Sequence, residues 1–267
     1  SDFWVMQYEA KYAIDGRVAS DAPSVCQNEI DIFDWGDASG CDTYIPVWTS
    51  KNVISSPLGS PIAAIKHNEA KAVCIAMDSH LITNPEWMTI ARDIDQQSSN
   101  WTSGTVGSGY LFMGNVGLTA YGGYDGIDPD KGVNRNQRAI HVLSNGNKIY
   151  DFSGNLWEHV MLNINDDLVD NQPKVTSAAS WVYSEFPTLT NYGDFSEILL
   201  KPTVLTWNTN QGIGNIYHYD GSGMSVDHTI MRGGGYITRT NAGIYSIFLS
   251  YDVTIQRISL GFRCVKN

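Results

Sequence analysis

Arg232-Gly-Gly-Gly-Tyr236 and Gly261-Phe262-Arg263-Cys264 bracket the stretch whose reading decides the fold. Three consecutive glycines predict a close approach of two backbones or a turn with positive φ, because glycine has no Cβ to obstruct either. Gly261 to Cys264 reads as a closing strand in which Phe262 and Cys264 point the same way. Between these signatures lie Tyr236, Ile237, Thr238, Arg239, Tyr245, Phe248, Ser250, Tyr251, Asp252, Thr254, Gln256 and Ile258, large apolar groups set among polar ones without lasting alternation. Such patterning is poor for a core. It fits either an ordinary loop-and-strand ending of a mixed domain or a displayed binding surface. The Tyr-rich, Ser- and Asn-containing composition is that of a paratope, where rings give contact area at low entropic cost. A displayed surface requires most of these side chains to be exposed, with Tyr, Phe and Arg as anchors. Arg232, Gly233, Gly234, Gly261, Phe262 and Cys264 would then be its buried frame.

Upstream of the bracket, Asn145-Gly146 between Arg138–Leu143 and Lys148–Phe152 is the strongest hairpin signal in the chain. Gly154-Asn155-Leu156-Trp157-Glu158 follows it as a turn leading into a central strand over Leu156–Leu162. His159, beside Glu158, reads as a strand residue. Ser60-Pro61 predicts a helix to about Met77, with Ile62, Ile65, Ala72, Val73, Ala76 and Met77 on its inner face. Asn84-Pro85 repeats the device, and Trp87, Ile90, Ala91 and Ile94 fall at helical spacing, which makes Trp87 a core residue. Phe3–Tyr8 reads as a first strand. Residues 13–56, 96–132 and 166–215 are loop-rich, with Trp101, Tyr110, Phe112, Tyr121, Tyr124, Trp181, Tyr183, Phe186, Tyr192 and Trp207 available to seat them. Asn100-Trp-Thr102 fits a glycosylation acceptor, a pattern common by chance. Asp125, Asp128 and Asp130 lack the register of a calcium loop.

The chain has 267 residues, enough for one large domain with a substantial core. Charged residues make up 17%, and 17 basic against 28 acidic residues leave a formal charge of −11, which repels phosphate backbones and anionic lipid. Nucleic acid is therefore not an expected partner. No apolar run approaches ~18 residues, so a soluble protein is expected, without membrane insertion. Cys26, Cys41, Cys74 and Cys264 show no Cys-x-x-Cys spacing, which argues against zinc. Buried free thiols and disulfides both remain open, including a pairing of Cys26 with Cys41.

The glycine-rich and Gly-Phe-Arg-Cys signatures, with Gly154-Asn155-Leu156-Trp157-Glu158, resemble the formylglycine-generating (sulfatase-modifying) enzyme family over most of the chain. The segment Glu69–Cys74, Leu81-Ile-Thr83, Glu86-Trp87 and Ala91-Arg92 is similar to that family's architectural helix-loop-helix. The resemblance implies a loop-rich α+β domain of C-type lectin type spanning 1–267, and a disulfide between Cys74 and Cys264. The chain closely resembles one branch, the variable proteins of diversity-generating retroelements, whose hypermutated C-terminal cassette ends in this Gly-Phe-Arg motif. Mutagenesis there falls on adenines, which disfavours Lys, Glu, Met and Trp. None of the four occurs between Gly233 and Arg263, and Gln256 is the one poor fit. Residues 232–264 would thus be a variable region that binds a protein or a cell or virus surface, on a molecule displayed on such a surface or secreted.

The family's chemistry can be tested on its own residues. Relatives that oxidise a substrate cysteine carry reactive cysteines shortly after the Arg-Gly-Gly motif, because copper-assisted oxygen chemistry needs thiolate ligands. Thr238 and Gly243 stand at about those places. No catalytic residue is assigned, and neither a Gly-x-Ser-x-Gly elbow nor a His-Glu-x-x-His pair is present. Two other functions stay open: a divergent oxidase, and a structural component of a larger particle. Calcium-dependent sugar binding is disfavoured by the absence of Glu-Pro-Asn and Gln-Pro-Asp. Relatives hold structural calcium near loops such as 151–155, making Asp151 and Asn155 weak candidates, against a metal-free turn in which they satisfy backbone donors. No cofactor is otherwise required.

Overall fold

Four consecutive buried residues, Trp157–Val160, form the strand on which the fold is assembled. A strand buried at every position must be covered on both faces. The computed structural model describes residues 3–12, 53–56, 61–63, 65–114, 116, 139–162, 182–188, 197–218, 229–236, 238, 241–251, 253–255, 257 and 259–267. In chain order its elements are β1 (Trp4–Val5), β2 (Ala10–Tyr12), β3 (Val53–Ser55), α1 (His67–Ala76), β4 (His80–Leu81), α2 (Asn84–Asp95), β5 (Ile140–Val142), β6 (Lys148–Tyr150) and β7 (Trp157–Val160). They continue with β8 (Val182–Ser184), β9 (Ile216–His218), β10 (Ile230–Arg232), β11 (Ile247–Phe248), β12 (Leu260–Gly261) and β13 (Cys264–Lys266).

The main sheet has six strands in the order β12-β7-β10-β11-β9-β8. β7 pairs antiparallel with β10 and parallel with β12, and β11 runs parallel to β9. A second sheet has the order β1-β13-β4, and β2-β3 and β5-β6 are two-stranded. Strands this short are stable only under cover. The inner face of the main sheet, through Val160, Ile216, Ile230 and Ile247, packs on Trp87, Ile90, Ala91 and Ile94 of α2. A second core joins Ala70, Val73 and Cys74 of α1 to Leu81, Met161 and Phe262.

α2 starts one residue earlier than expected: Thr83, and not Asn84, is the cap, and the Asn84 side chain bonds Arg232 and the Leu199 carbonyl instead. Thr83 accepts from the Glu86 backbone N–H at 3.4 Å, and Glu86 Oε2 accepts from the Thr83 N–H at 2.8 Å, closing both orphan donors. Trp87 is core, stacked on Phe152 at 3.9 Å with its indole N–H donating to the Ile244 carbonyl at 2.7 Å. The start of α1 differs. Pro61 bridges Lys11 in an extended segment, the Ile62 N–H is bonded to the Ala10 carbonyl, and the helix begins only at His67, where Glu69 reaches back to the Lys66 N–H. The buried helical face is accordingly His67, Ala70, Val73 and Cys74, while Ala72 and Ala76 are exposed. Ser60 lies outside the described residues.

The hairpin forms across Asn145-Gly146, with Ile140 opposite Tyr150 and Val142 opposite Lys148. The expected first strand is shorter than Phe3–Tyr8, and β2 and β3 were not foreseen. Asn100 is fully buried; its amide donates to the carbonyls of Ile94 and Val142 at 2.9 and 2.8 Å. That commitment removes it as a glycosylation acceptor. Trp101, Phe186 and Trp207 seat their loops in the core, whereas Tyr110 is exposed. Asp125, Asp128, Asp130, Tyr121, Tyr124, Trp181 and Tyr192 lie outside the described residues, as do Cys26 and Cys41.

Cys74 and Cys264 form a disulfide across a sequence separation of 190 residues. Closing so long a loop constrains the unfolded chain, so Cys74→Ser with Cys264→Ser is expected to cost roughly 2–5 kcal/mol, read as a fall in the thermal midpoint. The core also holds His67 and His159 edge to face at 5.4 Å. His159 Nε2 lies 2.9 Å from the Ile65 carbonyl oxygen and Nδ1 lies 3.1 Å from Thr229 Oγ1. Burial pushes His67 down to about 4 and His159 to about 3. Unfolded histidine titrates near ~6.5, so between these values the unfolded state binds more protons. The stability these two contribute is full above about pH 6.5 and is lost as pH falls through the folded values. Urea midpoints should therefore drop more from pH 7.5 to 5 in the native protein than in His67→Leu; equal drops would contradict neutral burial.

Candidate ligand-binding face

The outer face of the main sheet carries a row of rings placed by strand register. Tyr183 of β8 lies opposite Tyr217 of β9, which lies beside Phe248 of β11. Ring centroids are 4.3 Å apart from Tyr183 to Tyr217, 4.4 Å from Tyr217 to Phe248 and 4.9 Å from Phe248 to Tyr251. Trp157 meets Phe248 edge-on at 5.5 Å, and Met231 and Leu260 complete the floor. Arg257 lies over the Tyr251 ring at 5.2 Å and hydrogen-bonds its side chain. Tyr183 is 41% exposed, Tyr217 and Tyr251 are half-buried, and Phe248 is buried beneath them.

Two guanidiniums fix the ends of the bracket beneath this face. Arg232 is fully buried, with Nε and Nη2 donating to Asn84 Oδ1 at 3.0 and 2.6 Å, and further bonds to the carbonyls of Tyr245 and Leu199. All these acceptors are neutral, and burial lowers its pKa to about 9. Arg263 is paired with Glu158 through Nε at 2.6 Å and Nη2 at 2.5 Å, and also donates to the carbonyls of Met6, Tyr150 and Asp151. The glycines behave as frame. Gly233 and Gly234 have φ of 87° and 81°, and a Cβ on Gly234 would lie 2.6 Å from the Ala242 Cα. Phe262 and Cys264 share one core cluster, as the common direction predicted.

Within the bracket the expected exposure is only partly found. Thr254 is exposed, and Thr238, Ser250 and Tyr251 are partly so. Tyr236, Tyr245 and Phe248 are buried, which corrects the expectation for these three. Tyr245 is core: its hydroxyl donates to Asp95 Oδ2 at 2.6 Å, and its ring packs on Phe186. The reason is a period-2 alternation, Tyr245, Ile247 and Leu249 inward and Phe248 outward, hidden in the sequence because both faces are apolar. Ile237, Arg239, Asp252, Gln256 and Ile258 lie outside the described residues. Tyr183, Tyr217 and Arg257 were missed. Period-2 spacing around Tyr217 was the available signal, but Tyr183 was attributed to loop seating.

Asp151 and Asn155 adopt positive φ, 50° and 61°, in a buried polar nest with Glu9, Glu158 and Arg263. Asn155 donates to Glu9 Oε2 at 2.5 Å and the Leu156 N–H to Oε1 at 3.2 Å. Burial pushes the Glu9 carboxyl well above the ordinary range; Asp151 and Glu158 push it further, against Arg263 and the Asn155 bond. Calcium takes six to eight oxygen ligands. Both Glu158 oxygens are here taken by the guanidinium, and Asn155 turns its amide nitrogen to Glu9. Among the described residues no group of three or more His, Cys, Asp or Glu is placed to hold a metal ion.

The oxidase positions are equally committed. Thr238 Oγ1 accepts from the Gly235 N–H at 2.7 Å. Gly243 is pressed against the backbone of Ile213 and Gly214, where a Cβ would collide with both, so no cysteine fits there. Because Phe248 is buried between Trp157, Tyr217 and Tyr251, Phe248→Ala is expected to cost ~3–5 kcal/mol. Thr254→Ala on the exposed rim should change stability by no more than ~0.5 kcal/mol. Urea denaturation of the two variants checks the inner and outer assignment.

The sulfatase-modifying factor enzyme 1-like domain model matches residues 2–267, and no curated protein sequence matches. Solved structures similar to the chain include the Major Tropism Determinant U1 variant, at 15% identity over 78% of this chain and 43% of that one, with a TM-score of 0.35. The P3c variant is similar at 14% identity over 80% and 44%, TM-score 0.35, and the M1 variant at 13% over 76% and 37%, TM-score 0.33. The chain spans less than half the length of these structures. With its Arg-Gly-Gly-Gly and Gly-Phe-Arg-Cys signatures seated as a buried frame under a mixed sheet and two helices, the chain belongs to the sulfatase-modifying factor enzyme 1-like family and has its C-type lectin-like α+β fold.

Proposed function

We propose that this is a ligand-binding variable protein, in which residues 232–264 present a diversified surface on a fixed C-type lectin-like scaffold. The observation that carries the proposal is the outer-face aromatic cluster: Tyr251 and Phe248 from the bracket sit half-exposed or just beneath the surface, over ends pinned by Arg232 and Arg263. Tyr183, at 41% exposure, extends the same patch. Apolar surface of this kind, rimmed by polar groups such as Thr254 and Ser250, is that of a recognition site. The partner is a protein or a cell or virus surface, and the net charge of −11 disfavours nucleic acid.

The proposal is non-enzymatic. Formylglycine generation needs thiolates after the Arg-Gly-Gly motif, and the backbone contact at Gly243 leaves no space for one. Among the described residues no helix is long and apolar enough to cross a membrane, which is compatible with display from a larger particle or with secretion.

The DNA flanking the coding sequence tests the reading. A near-identical template repeat beside a reverse-transcriptase gene is expected, differing from codons 233–263 only where the template has adenine. Differences scattered over all four bases, or no repeat, would overturn it. Independently, a display library varied at Thr238, Ser250, Tyr251 and Thr254 should remain folded in most members, whereas one varied at Tyr245 should not, because Tyr245 satisfies the buried Asp95 carboxylate.

A further inference from the structure

The main sheet ends differently at its two sides. At β12 it is closed: the Ala10 N–H donates to the Phe262 carbonyl at 2.9 Å, and a Cβ on Gly261 would lie 2.9 Å from the Ile62 carbonyl oxygen. At the other end, β8 is paired with β9 alone among the described residues. Val182-Tyr183-Ser184 carries neither a charge nor a proline, the usual protections of an open edge.

The hydrogen-bonding direction along β8 follows from its neighbours. The N–H groups of Ile247 and Leu249 donate to the carbonyls of Asn215 and Tyr217, both at 3.0 Å, so these two carbonyls point toward β11. Successive residues of a strand bond toward opposite edges, which turns Ile216 and His218 toward β8, where Ser184 and Val182 stand opposite them. Tyr183 falls between, at the non-hydrogen-bonded pair with Tyr217, and its ring lies 4.3 Å from that of Tyr217, in keeping with the close approach of side chains at such pairs. The Tyr183 N–H and C=O therefore point out of the sheet, and neither meets a backbone partner among the described residues. The Tyr183 ring, 41% exposed, is also the end of the row.

We propose that the open edge of β8 takes up an extended segment of a partner protein as one further antiparallel strand, held by the Tyr183 N–H and C=O. Antiparallel pairing lets both groups bond the same partner residue. The side chain of that residue then stands beside the Tyr183 ring on the outer face, so the partner continues the row of rings by one position, and an aromatic or large apolar side chain fits there. Main-chain bonds of this kind supply affinity whatever the partner's sequence, while neighbouring side chains supply specificity. β8 lies outside residues 232–264, so the anchor stays the same when the variable segment changes. The assignment rests on the ring-bearing face being a ligand site and adds to it the conformation of the partner and the edge at which it is held.

Amide hydrogen exchange of the full chain should find the Val182 and Ser184 N–H groups protected and that of Tyr183 exchanging freely. The probe is then acetyl-Thr-Thr-Phe-Thr-Thr-amide, and the control is the same peptide N-methylated at every residue, which keeps the side chains and loses the donors. The first peptide should shift the Tyr183 amide resonance saturably and slow its exchange; the methylated one should do neither. Variants are compared through the ring resonances of the peptide's phenylalanine. Tyr183→Ala removes the ring but keeps the edge and should weaken binding roughly fivefold. Tyr183→Pro also removes the N–H, which β9 does not use, and should weaken binding about tenfold further with the sheet intact. A Tyr183 amide protected in the dilute free chain, no saturable shift at millimolar peptide, an equal response to the methylated peptide, or equal binding by two folded variants would each overturn the proposal. Protection of Tyr183 that rises with protein concentration alone would overturn it in favour of a second copy of the chain at this edge. Should Tyr183→Pro fail to fold, the methylated peptide still decides. None of these outcomes bears on the flanking template repeat, so the variable-surface reading stands or falls separately.

Discussion

The ion pair between Arg263 and Glu158 is the interaction on which the remaining structure depends. It joins the central strand to the link between the two sheets, 105 residues apart, and recruits carbonyls from Met6, Tyr150 and Asp151. Both side chains are completely buried. Isolated, each charge would cost several kcal/mol in lost hydration, and the pair is sustained because its geometry is bidentate and both Nη1 and Nη2 also donate to backbone carbonyls. Glu158 holds Arg263 firmly protonated, above its ordinary value, despite burial. Burial raises both carboxylates of the nest, Glu158 against the opposing Arg263 charge and Glu9 well above the ordinary range. The contribution of Glu9 to stability is greatest below its unfolded pKa and is lost as pH rises through the folded one, opposite in sign to that of the buried histidines.

Arg232 solves the same problem at the other end of the bracket with neutral partners. Its acceptors are one amide oxygen and two carbonyls, all supplied by segments whose backbone is already fixed. Between the two arginines, much of what holds the chain is independent of side-chain identity. The N–H groups of Tyr236, Tyr245, Ile247 and Leu249 bond to the carbonyls of Asn155, Ile213, Asn215 and Tyr217, and Thr229 donates to Tyr251. A segment clamped by buried charges at its ends and by backbone bonds along its length can change its outward side chains without losing its path. The inward positions have no such freedom, because Tyr245, Ile247 and Leu249 belong to the main core.

The fold was legible wherever a local rule and the tertiary structure agreed. α2 combined a proline and an i, i+3, i+4, i+7 stripe, and both are used, with the cap one residue earlier than expected, at Thr83. The Asn145-Gly146 hairpin and the Gly-Asn-Leu-Trp-Glu turn carried their own backbone chemistry. α1 was misplaced at its start because Pro61 imitates a helix opening, while the Ile62 N–H is already bonded to Ala10. β2 and β3 are too short to impose a period. The candidate face was legible in its bracket but not in its extent. Phe248 is apolar on the outer side because other rings cover it, which destroys the alternation that would have separated it from Tyr245. Tyr183 and Tyr217 reach the face only through strand order, which no single segment of sequence states.

Gly243 is the point at which the bracket is seated most closely on its neighbours. The resemblance places a reactive cysteine of the oxidising enzymes at about this point, which requires room for a side chain and access for a substrate. Here the backbone of Gly243 is packed directly on Ile213 and Gly214, and its N–H donates to the Gly233 carbonyl at 3.1 Å. The Ser246 N–H returns to the Gly243 carbonyl at 2.9 Å, and Ser246 Oγ donates to the Asn241 carbonyl. The place is taken by a hydrogen-bonded seam. The seam sets the entry of β11 beside β9, and that parallel pairing is what brings Phe248 next to Tyr217. The close packing at Gly243 and the continuous row of rings thus share one backbone contact, seen from the two sides of the sheet.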